Sequence, residues 1–318
     1  MGGGKISIRV GRGKGAKSRK TRRHAFRGVM AGISSASVLP AAAAETRRAA
    51  EGGDARAQYL MGAACAAGAG VRRDLAEAFR WYGLAAEQDS ADGWFGLFSC
   101  YREGLGTPKD DARAFECCRR AAELGCLPAI ANMGLLLRHG IGCVADEAAA
   151  MKWLRQGAEQ GSVDARHSLA CLLQAQGTPD AEREAFAWFQ KAAEQGLAES
   201  QANVAILLET GTGCEADPAE AALWWRRAAE QNVPLALYRH ALNLLGADPP
   251  DRKAGLEFLG RAADAGVPDA EYLFGNMVVS GAVSGVSRER GIAYLRAAAK
   301  DGISRASVLL QAMESANG

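Results

Sequence analysis

The sequence predicts an all-α solenoid of about seven helical-hairpin repeats, each 34–36 residues long. Three observations carry this expectation. A small residue returns as Ala57, Gly93, Ala129, Ala165, Ser200, Ala236, Ala270 and Ala306, at intervals of 36, 36, 36, 35, 36, 34 and 36. A small-residue pair keeps the same phase, from Ala85-Ala86 and Ala121-Ala122 through Gly157-Ala158, Ala192-Ala193, Ala228-Ala229 and Ala262-Ala263 to Ala298-Ala299. Helix-starting and helix-ending residues flank that pair at fixed distances, so each period is one supersecondary unit.

The second helix of each unit is the better marked. Eleven residues before the pair stand Asp74, Asp110, Asp146, Ala181, Asp217, Asp251 and Ser287. Six of these seven can accept from the free N–H groups of a helix start, as N-caps do. Ala181 is the exception, with Asp180 beside it. Four residues after the pair come Asp89, Gly125, Gly161, Gly196, Asn232, Gly266 and Gly302. Gly and Asn tolerate the left-handed conformation that ends a helix, so a capped helix of about thirteen residues lies between the two columns. Trp81, Cys117, Trp153, Trp188, Trp224, Phe258 and Tyr294 stand four residues before the pair. That spacing shares its helical face, and Trp188 is expected to fill core volume.

The first helix carries Gly62, Phe98, Gly134, Ala170, Ala205, Ala241 and Gly275, each preceded by an apolar residue except at His240. Gly68-Ala-Gly70, Gly104-Leu-Gly106, Gly140-Ile-Gly142 and Gly211-Thr-Gly213 supply turns to the second helix. Two such helices cannot bury their apolar faces alone, whereas stacked hairpins can. Ala49-Ala50, 36 residues before the first pair, marks the second helix of an incomplete leading unit.

The run Ala57-Gln-Tyr-Leu-Met-Gly62, Gly68-Ala-Gly70-Val71, Ala78-Phe-Arg-Trp81 and Ala85-Ala-Glu87 resembles the Sel-1-like repeat family, a relative of the tetratricopeptide repeats. The resemblance recurs over residues 45–318 and weakens near Gly177, Gly246 and Cys117. It implies a right-handed α/α solenoid and a non-catalytic adaptor that holds a peptide or protein on its concave surface. Cysteine-rich members are linked to β-lactam binding or hydrolysis, which stands as the enzymatic alternative.

Ahead of the repeats, ten of the 38 basic residues fall between Lys5 and Arg27, and no acid precedes Glu45. The rest of the chain then holds 28 basic against 36 acidic residues, a balance of −8. Residues 1–44 form a separate head. Its first 27 residues lack apolar clusters and are expected to be disordered, while Val29 to Ala44 imitates an atypical export signal with an A-x-A exit. Export would place the protein in the periplasm or outside the cell; a retained head leaves it in the cytoplasm. Affinity for polyanions, nucleic acid included, belongs to this head. No stretch reaches the ~18–20 apolar residues of a membrane span. The excess of Arg over Lys and the Ala and Gly content point to a GC-rich bacterial coding sequence.

No catalytic constellation stands out. Gly11-Arg-Gly-Lys-Gly-Ala-Lys17-Ser18 lacks the second glycine and the preceding strand of a phosphate loop. His24, His139, His167 and His240 sit at different repeat phases, which argues against a shared metal face. The eight cysteines show no CxxC and read first as small core residues, with disulfides open to an exported protein. No cofactor, metal or small-molecule substrate is expected. The recognition residues are expected on the first-helix edge, where Asn132, Ser168, Asn203 and Arg239 share one repeat phase.

Overall fold

The caps expected from sequence start the second helices at six of seven units. Asp74, Asp110, Asp146, Asp217, Asp251 and Ser287 each accept from the backbone N–H three residues on, at 2.9–3.3 Å. In the remaining unit, the fourth, the cap is Thr178, whose hydroxyl accepts from Ala181 N at 3.3 Å. That helix therefore begins at Pro179, and Asp180 lies within its first turn. All seven helix ends adopt positive φ, including the non-glycine residues Asp89 at 56° and Asn232 at 62°.

The computed structural model describes residues 40–315, which form sixteen helices with no strand among them. The head expected at residues 1–44 lies outside the described residues up to position 39. From Pro40 onward the chain is helical, in α1 (Pro40–Glu51). Seven hairpins follow. The first is α2 (Ala55–Ala67) with α3 (Leu75–Glu87), and the second is α4 (Ala91–Glu103) with α5 (Asp111–Glu123). Next come α6 (Leu127–His139) with α7 (Glu147–Glu159), and α8 (Val163–Gln176) with α9 (Pro179–Glu194). The last three are α10 (Ala198–Thr210) with α11 (Pro218–Glu230), α12 (Pro234–Leu245) with α13 (Arg252–Asp264), and α14 (Pro268–Val279) with α15 (Arg288–Lys300). A final helix, α16 (Ser304–Ser315), covers the exposed flank of α15.

The chain divides into two compact units between Ala165 and Arg166, within α8. In the first, each helix from α1 to α6 packs on the next; in the second, each from α9 to α15 does so. This neighbour-on-neighbour packing is what an α/α solenoid requires.

The core column lies one residue later than the aromatics suggest. Tyr82, Cys118, Leu154, Phe189, Trp225, Leu259 and Leu295 are buried in every unit. Trp188 is half-buried, as are Trp81 and Trp153, so its expected core role is corrected. Adjacent helix residues point about 100° apart, so in the fourth hairpin the next residue, Phe189, takes the inward face. Trp81 and Trp188 donate their indole N–H to a glutamate one turn earlier, at 3.3 and 3.2 Å, and the buried Trp224 does so at 3.1 Å.

Small residues fix the close approaches. A Cβ on Gly62 or Gly96 would stand 2.6 or 2.5 Å from the Tyr82 ring, so both glycines make room for it. In the Gly-x-Gly turns the first glycine ends the helix in the left-handed region. The second meets the previous hairpin: a Cβ on Gly106 would lie 2.0 Å from Leu75 O, and one on Gly142 1.9 Å from Asp111 O. Position 213 repeats this against Glu182 O, at 2.2 Å.

Glutamines tie neighbouring hairpins. Gln58 Nε2 donates to Ala50 O at 3.2 Å, and its Oε1 accepts from Gln88 Nε2 at 2.8 Å. In the second unit Gln201 donates to Ala193 O at 3.2 Å and accepts from Gln231 at 2.9 Å.

Candidate functional site

Each of the four expected recognition residues lies on a first helix and is half-buried. Asn132 belongs to α6 of the first unit; Ser168, Asn203 and Arg239 belong to α8, α10 and α12 of the second. Asn132 Nδ2 donates back to Pro128 O at 2.8 Å, one helical turn earlier.

Arg239 is the most elaborately held. Its guanidinium pairs with Glu209 and lies 5.8 Å from the centre of the Trp225 ring. Glu209 also accepts from the Trp225 indole N–H at 2.9 Å. The carboxylate at the end of α10 thus bridges a buried indole of α11 and a part-exposed cation of α12. Such a guanidinium is preorganised and partly neutralised, and its remaining N–H groups suit a backbone carbonyl or a carboxylate.

The structure also assembles a group that sequence columns did not single out. His167 Nδ1 lies 2.8 Å from Ser200 Oγ, and His167 Nε2 lies 3.6 Å from Cys171 Sγ. His167 and Cys171 stand one turn apart on α8, a spacing visible in sequence. Ser200 comes from the next first helix, and only packing brings it there. Among the described residues, no group of three or more His, Cys, Asp or Glu side chains is placed to hold a metal ion.

All eight cysteines are free thiols in the structure. Burial pushes Cys65 and Cys126 up to about 11, and Cys100 and Cys117 up to about 12. Burial also raises Cys118 well above its ordinary value, and its thiol donates to Ala129 O at 3.4 Å. These five are the small core residues that the sequence suggested.

A family model for the Sel1 repeat matches residues 55–90, 95–126, 127–162, 163–197, 198–233, 234–267 and 268–303. With seven capped hairpins on this clock, the chain belongs to the Sel1 repeat family. A solved structure of c5321, described as a protective antigen present in uropathogenic Escherichia coli strains displaying an SLR fold, is similar at 27% identity and a TM-score of 0.76. The match covers 93% of this chain and 64% of that one, so this chain spans less than two thirds of c5321. A Sel1 repeat protein from Oxalobacter formigenes is similar at 30% identity and a TM-score of 0.68, over 92% of this chain and 86% of that one. No curated protein matches the sequence. Sel1 repeat proteins are generally protein-interaction scaffolds and typically not catalysts. Among the described residues no helix is long and apolar enough to cross a membrane.

Proposed function

We propose that this chain is a non-catalytic adaptor whose partner, a peptide or protein segment, lies along the first-helix edge at Asn132, Ser168, Asn203 and Arg239. The observation that carries this reading is one half-buried polar side chain at the same phase of four successive hairpins. A solenoid repeats its surface as it repeats its core, so within the second unit an extended partner meets a similar group at Ser168, Asn203 and Arg239. Asn and Ser side chains there suit a partner's backbone groups, and Arg239 suits a carbonyl or carboxylate. The Glu209 bridge holds the Arg239 guanidinium in place before binding, which lowers the ordering cost.

The test is the double variant Asn203→Ala, Arg239→Ala. A part-exposed surface ion pair contributes about 1 kcal/mol to stability, so its melting temperature should fall by only a few degrees. Loss of desolvated hydrogen bonds should weaken a partner captured by the wild-type protein by about 1–3 kcal/mol. Undiminished capture by the folded variant would remove this edge as the binding surface.

A further inference from the structure

Cys171 has an imidazole beside its sulfur. Cys143 and Cys214, equally half-buried, direct their S–H groups at backbone carbonyls, Leu136 O at 3.8 Å and Leu207 O at 3.5 Å. Both contacts favour the protonated thiol, and burial raises both thiols above their ordinary value. Cys171 Sγ faces the imidazole of His167, 3.6 Å from Nε2.

That imidazole is fixed from two further sides. The Phe189 ring meets it edge-on, with ring centres 5.5 Å apart. Ser200 Oγ, on a residue with 0% exposure, lies 2.8 Å from Nδ1. A hydroxyl can donate to a bare Nδ1 or accept from a protonated one. Ser200 therefore serves the neutral ring and the imidazolium alike. Nucleophile, base and orienting group stand in the order that activates a cysteine.

We propose that Cys171 is a modification site, a thiol activated by His167 that exchanges with small soluble disulfides such as glutathione disulfide. The Cys171 proton passes to His167 Nε2, leaving a thiolate beside an imidazolium that donates from Nδ1 to Ser200. The thiolate attacks one sulfur of the small disulfide. A new S–S bond forms, the old one breaks, and the leaving thiolate takes up a proton. The Cys171 sulfur is oxidised to the disulfide level as one sulfur of the small molecule is reduced to a thiol. A mixed disulfide at position 171 is the product.

The experiment treats the reduced full chain with glutathione disulfide at neutral pH and maps adducts by mass spectrometry after trypsin. The peptide His167–Arg183 contains Cys171 as its one cysteine. Thiolate fraction dominates such rates, so Cys171 should react roughly tenfold or more faster than Cys143 and Cys214. His167→Gln should slow Cys171 by roughly five- to tenfold while the Cys214 rate stays unchanged. Acceleration of Cys214 in that variant would mean it has opened, and the wild-type ratio then decides. Equal rates at Cys171, Cys143 and Cys214 in the wild type would overturn the proposal. So would a folded His167→Gln protein in which Cys171 reacts as before.

Discussion

Glu271 and Asp301 occupy, in the last hairpin, the two positions that Gln58 and Gln88 hold in the first and Gln201 and Gln231 in the fifth. The amide pairs donate and accept, tying one hairpin to the next. Two carboxyls at the same places have no amide hydrogen to give. Glu271 is 7% exposed, its Oε2 has no hydrogen-bond partner, and burial followed by the Asp301 charge raises its carboxyl above the ordinary range.

Glu271→Gln should therefore stabilise the protein. The new amide would face Ala263 O, the equivalent of Ala50 O and Ala193 O. One restored buried hydrogen bond contributes on the order of 1 kcal/mol. The sign of the pH dependence follows from the raised carboxyl. The folded state holds this proton more tightly than the unfolded chain, so stability is complete below the ordinary value of 4.5 and declines as pH rises above it. The gap in melting temperature between variant and wild type should be widest at neutral pH and shrink toward pH 4.5. A constant gap would count against the buried carboxylate.

His240 gives the opposite dependence. It stands in the column of Met61, Met133 and Leu169, it is 7% exposed, and its Nδ1 has no hydrogen-bond partner. Burial first, and the Arg226 charge second, lower its pKa. The folded state resists protonation, so stability falls as pH drops through the ordinary value of 6.5. His240→Leu should remove that loss, and its thermal advantage over wild type should grow below pH 6.5.

Phe189 and Trp188 separate the true core column from its neighbour. Phe189 is 0% exposed and Trp188 is half-buried. Phe189→Ala should cost about 3–5 kcal/mol, as aromatic truncations in a close-packed core do. Trp188→Ala loses its stacking against Lys191 and its bond to Glu184, and should cost about 1–2 kcal/mol. Urea unfolding of both variants measures the difference, and equal midpoints would refute the assignment.

Gly142 and Gly196 both have positive φ, 72° and 93°, but differ in what surrounds them. A Cβ at Gly142 would stand 1.9 Å from Asp111 O, whereas at Gly196 nothing lies within 4 Å. Gly196→Ala should cost about 1–2 kcal/mol, from backbone conformation alone. Gly142→Ala adds a clash with backbone that cannot yield, and its urea midpoint should fall further. Similar midpoints would show that the turn relaxes away from the preceding hairpin.

How much could be foreseen depends on how local the cause is. Asp74, Asp110 and Asp146 act on amides three residues away, and Gly125 or Asn232 on its own φ angle. Such positions are legible because the chain carries both partners together. Thr178 departs from the pattern only because Pro179 opens that helix early. The aromatic column was legible as a column, but its depth was not. Residues 188 and 189 differ by about 100° around a helix, and only the packed neighbours decide which one faces inward.

The sequence by itself determined the repeat, its period, six of the seven second-helix N-caps and the family, because each rests on short-range backbone chemistry copied from hairpin to hairpin. Tertiary structure decided what long-range contacts control. It placed Glu209 between Trp225 and Arg239, set Glu271 against Asp301, and carried Ser200 to the imidazole beside Cys171. Those partners lie 16 to 33 residues apart. At such distances the hairpin stack, rather than the spacing of residues along one helix, fixes who meets whom.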